Sequence, residues 1–145
     1  MSNGTSVTII GNLTRDPEER VTKNGETKLD FSVAASRRWK NRNDEWEEET
    51  SYFDVTAWSE LAKNSGITLK KGTRVIIVGR LKQESWNDKN TGDKRSKIVV
   101  HAEDIGPSLR KAYIQEIVKT GGQSNTGSAP RQPAFDTKSH SDYNS

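Results

Sequence analysis

Between Thr5 and Ala102 apolar and polar residues change places at nearly every second position, in short runs rich in β-branched residues. Successive side chains on a strand point to opposite faces, so this rhythm predicts strands with one buried face. Five such runs stand out: Thr5–Leu13 (TSVTIIGNL), Glu26–Ala35, Tyr52–Trp58, Thr73–Leu81 (TRVIIVGRL) and Ser96–Ala102. Leu29, Phe31, Val33 and Ala35 share a face in the second; Phe53, Val55 and Ala57 do so in the third, and Val75, Ile77, Gly79 and Leu81 in the fourth. Asn24-Gly25 is a two-residue hairpin signal and Asn90-Thr91-Gly92-Asp93 a looser one, so several neighbouring strands should be antiparallel. One short helix is expected at about Ser59–Ser65, with Ser59 as N-cap and Gly66 as its stop.

Five strands with one short helix between the third and fourth match the element order of an all-β OB-fold, a five-stranded Greek-key barrel. An SH3-like barrel or a small sandwich fits the pattern alone. The rhythm ends near Thr120. From there to Ser145 the chain is rich in Gly, Ser, Thr, Asn, Pro and Gln, with too little apolar surface to offset the entropy of ordering. The expected organisation is therefore one domain over residues 1–119, with a C-terminal extension from about 103, and a disordered tail over 120–145.

Composition narrows the class. In 145 residues, 30% hydrophobic and 30% charged, there is apolar material for one small core. The 23 basic residues outnumber the 20 acidic ones only slightly, so net charge permits a polyanionic partner without requiring one. Cysteine is absent, which removes disulfides and thiolate metal sites. The N-terminus lacks the basic and apolar regions of a signal peptide, and no run approaches the roughly 20 apolar residues of a membrane span. A soluble, cytoplasmic protein is the expectation.

The tryptophans change the picture. Trp39, Trp46, Trp58 and Trp86 lie in or beside polar runs crowded with Lys and Arg, where core packing alone does not account for them. If Phe53, Val55 and Ala57 point inward, Tyr52 and Trp58 point outward. In the fourth strand Trp86 shares the outer face with Arg80 and Lys82. Rings beside cations on a sheet surface suit single-stranded nucleic acid, whose bases stack and whose phosphates need positive charge. Phosphate neutralisation is assigned to Arg37, Arg38, Lys40, Arg74, Arg80 and Lys82, with Lys70, Lys71, Lys94, Arg95 and Lys97 as weaker candidates. Strict alternation puts Trp39 on the core face with Phe31 and Val33, so its use as a stacker requires a bulge or strong coiling after Ala34. Trp46 sits among the carboxylates of Asn41–Glu49 (NRNDEWEEE) and reads as a protein contact or loop anchor.

Catalysis has little to work with. His101 and His140 are far apart, no pair has metal-ligand spacing, and neither a nucleophile-elbow nor a P-loop pattern occurs. His101 reads as structural, and Glu45, Glu47, Glu48 and Glu49 as a solvated hairpin. No enzyme, cofactor or metal is expected.

Three stretches together resemble the bacterial single-stranded DNA-binding proteins: Ile10–Arg20 (IGNLTRDPEER); Asn24-Gly25 with the Phe31–Ala35 strand and Trp39; and Leu69–Leu81 (LKKGTRVIIVGRL) leading to Trp86. The resemblance spans roughly residues 5–110. It implies an OB-fold that assembles as a homotetramer, coats single-stranded DNA in replication, recombination or repair, and stacks bases on Trp39, Tyr52, Trp58 and Trp86. Glu103–Arg110 (EDIGPSLR) is similar to the actinobacterial branch, in which an added strand clamps neighbouring subunits. Two departures stand out. Glu84 and Ser85 precede Trp86 where the family often carries basic residues. The ending 135–145 (FDTKSHSDYNS) lacks the family's acidic, hydrophobic tip, which puts tip-mediated recruitment of repair proteins in doubt and suggests a paralogue or a phage-encoded form. The readings left open are an OB-fold assembly subunit of a replication or conjugation complex and an RNA-binding OB module, since stacking does not separate RNA from DNA unless the 2′-hydroxyl is read.

Overall fold

In the computed structural model, residues 4–120 are described. The predicted tail beyond Thr120, with His140 and the ending 135–145, lies outside the described residues. The chain divides into a first compact unit that ends at Tyr113 and a second that begins at Ile114, whose described residues 114–120 carry no helix or strand.

The first unit contains β1 (Ser6–Leu13), β2 (Glu18–Val21), β3 (Thr27–Lys40), β4 (Trp46–Trp58), α1 (Ser59–Thr68), β5 (Arg74–Asn87) and β6 (Lys94–Pro107). The sheet runs β1-β5-β6-β4-β3-β2, and a further pairing of β1 with β3 closes a five-stranded barrel with β2 outside it. β1 lies antiparallel to β5 from Ser6↔Arg80 to Asn12↔Arg74, then passes to β3 at Asn12↔Ala34 and Leu13↔Val33. That closure needs Gly11, because a Cβ there would run into the backbone carbonyl of Ala34. β4 and β6 pair in parallel at Val55↔Val100 and Thr56↔His101. This is the OB-fold that the strand order predicts.

The predicted alternation builds the core. Leu29, Phe31 and Val33 from β3 meet Val55 and Ala57 from β4, with Val75 and Ile77 from β5 closing over them. Ala62 of α1 and Leu69 just after it belong to the same cluster, so the helix plugs the barrel.

The differences from expectation have physical causes. β2 escapes prediction because all four of its residues are exposed and it is held by pairing with β3 alone. β3, β4 and β5, and β6 at its Lys94 end, run past the predicted limits because beyond the barrel both faces are wet, so hydrophobic alternation stops while the backbone ladder continues; the other end of β6 stays on the barrel, with Ile105 packed against the core. Asn24-Gly25 does mark a turn, but three residues lie inside the Thr22–Glu26 backbone pair rather than two. Ser59 is not the N-cap. Trp58 holds that position without a side-chain cap, and Ser59 turns the chain from β4 into α1 at φ 57. Gly66 does not stop the helix, which continues to Thr68. Segment 103–110, expected to add a strand, instead continues β6 through Pro107 against the start of β5 and then leaves the sheet.

Candidate nucleic-acid interface

The β3–β4 ladder runs without a shift from Lys28↔Trp58 to Lys40↔Trp46. Residues directly opposite one another share a face, so Trp58, Tyr52 and Trp46 stand with Lys28, Ala34 and Lys40 on the side away from the core. An ion pair between Lys97 Nζ and Asp54 Oδ2 at 3.5 Å joins this face to β6. Across the β5–β6 ladder, Arg80 faces His101, Lys82 faces Val99, Glu84 faces Lys97 and Trp86 faces Arg95. The outer sides of β3, β4, β6 and β5 thus form one surface. It carries Tyr52, 68% exposed, Trp86, 45% exposed, and the half-buried Trp58.

Trp39 is placed differently. No bulge follows Ala34, so Trp39 lies opposite Glu47 on the reverse of the ribbon, in line with Phe31 and Val33 but beyond the barrel. Arg37 covers its ring at 4.6 Å and pairs with Glu49 at 3.5 Å. Trp46, read from the sequence as a protein contact or loop anchor, opens strand β4, is 60% exposed and shares the outer face with Tyr52.

The expected cations divide into groups. Arg38 and Lys40 flank the Trp46 ring at 5.1 and 5.5 Å, and Lys40 also reaches Asp44 at 3.6 Å. Arg80 pairs with Glu103 at 3.1 Å, while Lys82 is exposed and forms no ion pair with a described residue. Lys94 and Arg95 lie at the start of β6, where Arg95 Nε donates to Asp88 Oδ2 at 2.9 Å. Backbone N–H groups of Asn90 and Thr91 hold the Asp88 carboxyl below its usual range, and Arg95 adds to the effect, so the carboxylate stays charged and keeps Arg95 engaged. Three candidates are not brought to the rings. Arg74 sits between Asn12 and Ser108, donating to Ser108 Oγ at 3.3 Å, and Lys70 and Lys71 occupy the turn before β5.

Lys28 was missed in the sequence. Its ammonium lies 5.6 Å from the Trp58 ring centre, and the signal was available only through the register that sets the two opposite each other. At the middle of the face, Thr56 Oγ1 donates to Asp30 Oδ1 at 2.7 Å. Beside it His101 buries an Nε2 with no hydrogen-bond partner, 3.6 Å from Glu84 Oε2. Among the described residues no helix is long and apolar enough to cross a membrane.

Residues 5–108 match the model of the single-strand binding protein family. This chain belongs to that family. A single-stranded DNA-binding protein of Paenarthrobacter aurescens is 40% identical over 129 residues, covering 88% of this chain and 74% of the relative. One from Borreliella burgdorferi is 44% identical over 105 residues, covering 72% and 70%. Among solved structures, the small single-stranded DNA-binding protein from Streptomyces coelicolor superposes with a TM-score of 0.61 at 28% identity, covering 74% of this chain and 97% of that one. A deletion mutant of the Thermus aquaticus single-stranded DNA binding protein gives 0.66 at 30%, covering 77% of this chain and 54% of the other.

Proposed function

We propose that this chain binds single-stranded DNA with little sequence preference and, as a homotetramer, coats and protects it in replication, recombination or repair. The observation that carries the reading is the outer face, where Tyr52, Trp58 and Trp86 stand with Arg38, Lys40, Arg80 and Lys82. Stacking on such rings contributes about 1–3 kcal/mol per base and tolerates any sequence, while the cations neutralise phosphates. Trp39 and Arg37 contribute from the reverse of the ribbon, where a bound strand turns around its edge. The relatives named as single-stranded DNA-binding proteins support the same reading.

The action is binding, with no chemical step and no cofactor. A ligand stabilises whichever state it binds, so coating the single strand draws hairpins open by mass action. Assembly is supported by an exposed apolar strip, Ile10, Ile76 and Val78, on the outer side of β1 and β5, well placed to be covered by another copy. The working location is wherever single-stranded DNA is formed: the cytoplasm and nucleoid, or a host's cytoplasm for a phage-encoded form.

Titration with oligo(dT), oligo(rU) and duplex DNA, followed by tryptophan fluorescence, tests the proposal. The expected result is strong, salt-sensitive quenching by oligo(dT) and weak quenching by duplex. Absence of quenching at low salt removes it, and equal or tighter binding of oligo(rU) moves the function to RNA. Sedimentation at working concentration reads the subunit number.

A further inference from the structure

Trp46 lies in the most acidic stretch of the sequence, Asp44–Glu49, yet the fold does not leave it among those carboxylates. Alternation along β4 sends Glu47 and Glu49 to the reverse of the ribbon. There each is engaged: Asn41 Nδ2 donates to Glu47 Oε2 at 2.7 Å, and Glu49 pairs with Arg37. On Trp46's own side the ladder places Arg38 and Lys40 with Glu48, and Asp44 at the ribbon's tip reaches Lys40 at 3.6 Å. Charge counted along the sequence is strongly negative around this ring, whereas on its own face two cations balance two carboxylates and both cations lie within 5.5 Å of the ring centre.

Spacing adds a second argument. Trp46, Tyr52 and Trp58 recur at every sixth residue of one strand, and no register shift moves any of them off the outer face. Their partners on β3 recur likewise: Lys40 faces Trp46, Ala34 faces Tyr52 and Lys28 faces Trp58. The two end rings carry a cation within reach, and the central ring faces a methyl group that leaves it open. Six strand residues span roughly 20 Å, far beyond the ~3.4 Å rise between stacked bases, so each ring would hold a separate base along an extended strand.

We propose that Trp46 is a base-stacking residue, and that the single-stranded DNA track continues along the outer face of the β3–β4 ribbon to its tip. This rests on the single-stranded DNA reading given above. Trp46 is exposed, rigidly mounted on a paired strand and flanked by two cations, which is the combination that base stacking beside phosphates requires.

The direct test keeps Trp46 as the sole tryptophan, with Trp39, Trp58 and Trp86 replaced by Phe, and follows its emission during oligo(dT) titration. Anisotropy of a labelled oligonucleotide reads binding independently. Quenching of Trp46 in step with binding is expected. In the otherwise unmodified chain, Trp46→Ala should weaken oligo(dT) binding roughly 5- to 30-fold and shorten the occluded site, with Trp46→Phe restoring most of the loss and Trp46→Leu little of it. Binding with unquenched Trp46 emission overturns this inference alone, as does full rescue by Leu, which would make the ring a packing element. Failure of the unmodified chain to bind oligo(dT) overturns both this and the functional reading.

Discussion

The barrel and the ribbon that extends from it are built from the same two strands, β3 and β4, on one unbroken ladder, yet they use alternation for different ends. Inside the barrel one face is buried, so Leu29, Phe31 and Val33 alternate with Lys28, Asp30 and Ser32, and hydrophobicity sorts the residues. From Ser36 outward neither face is buried, and charge takes over the sorting. Arg38, Lys40, Trp46 and one carboxylate, Glu48, go to one side; Arg37, Trp39, Glu47 and Glu49 go to the other. A pattern fixed by the core at one end therefore determines, through register, which rings share a face some twelve residues of strand away, roughly 40 Å. The barrel sets orientation, and the ribbon uses it.

The largest expected contrast is in stability. Phe31 is among the largest fully buried side chains, so Phe31→Ala should cost roughly 3–5 kcal/mol. Trp46→Ala removes an exposed ring and its cation contacts, and should cost no more than about 1 kcal/mol. Chemical denaturation of the two variants checks this. Comparable losses would show that the ribbon is an integral part of the fold, which breaks the comparison.

Much of the barrel was legible in the sequence, and the reason is burial. Where one face excludes water, apolar residues at every second position announce the strand, as Leu29 to Val33 and Val75 to Ile77 do. Where no face is buried the announcement stops, so β2 and the outer ends of β3 to β6 went unseen. Tyr52, Trp58 and Trp86 were assigned to the outer face correctly because alternation could be counted outward from core residues. The face on which Trp46 stands was not legible, for the complementary reason. Glu47 and Glu49 are close in sequence but face the other way, which only the pairing register reveals. Ser59 was misread because its hydroxyl suits a cap, while the sharp exit from β4 uses its backbone at φ 57 instead.

A second contrast lies in binding. Tyr52 has its ring open and faces only Ala34, so Tyr52→Ala should remove stacking without disturbing the core. Its expected cost is about 1–3 kcal/mol in oligo(dT) affinity, read by fluorescence or anisotropy, with a melting temperature close to that of the unmodified chain. Trp86→Ala should behave alike, since Trp86 faces Arg95 on the other ribbon, β5–β6. A variant that loses stability but binds normally in its folded fraction would return these rings to the barrel's account.

The smallest effect is the most discriminating, because it concerns the carboxylates that compete with phosphate. Asp54 occupies the outer face opposite Ser32 and holds Lys97 at 3.5 Å. Both groups are about half exposed, so the pair adds little to stability. A phosphate arriving at Lys97 must displace Asp54. Asp54→Asn should therefore leave folding unchanged, tighten oligo(dT) binding at low salt and steepen the slope of log K against log salt by roughly 0.7, the value of one added phosphate contact on a single strand. Lys97→Ala should change little on its own and should cancel the gain in the Asp54→Asn background, a coupling that a double-mutant cycle isolates. The Arg37–Glu49 pair has the same 3.5 Å separation but lies on the reverse of the ribbon. If one face carries most of the strand, Glu49→Gln yields the smaller gain. Equal gains would mean that the DNA wraps both faces, with Trp39 and Trp46 gripping it from opposite sides.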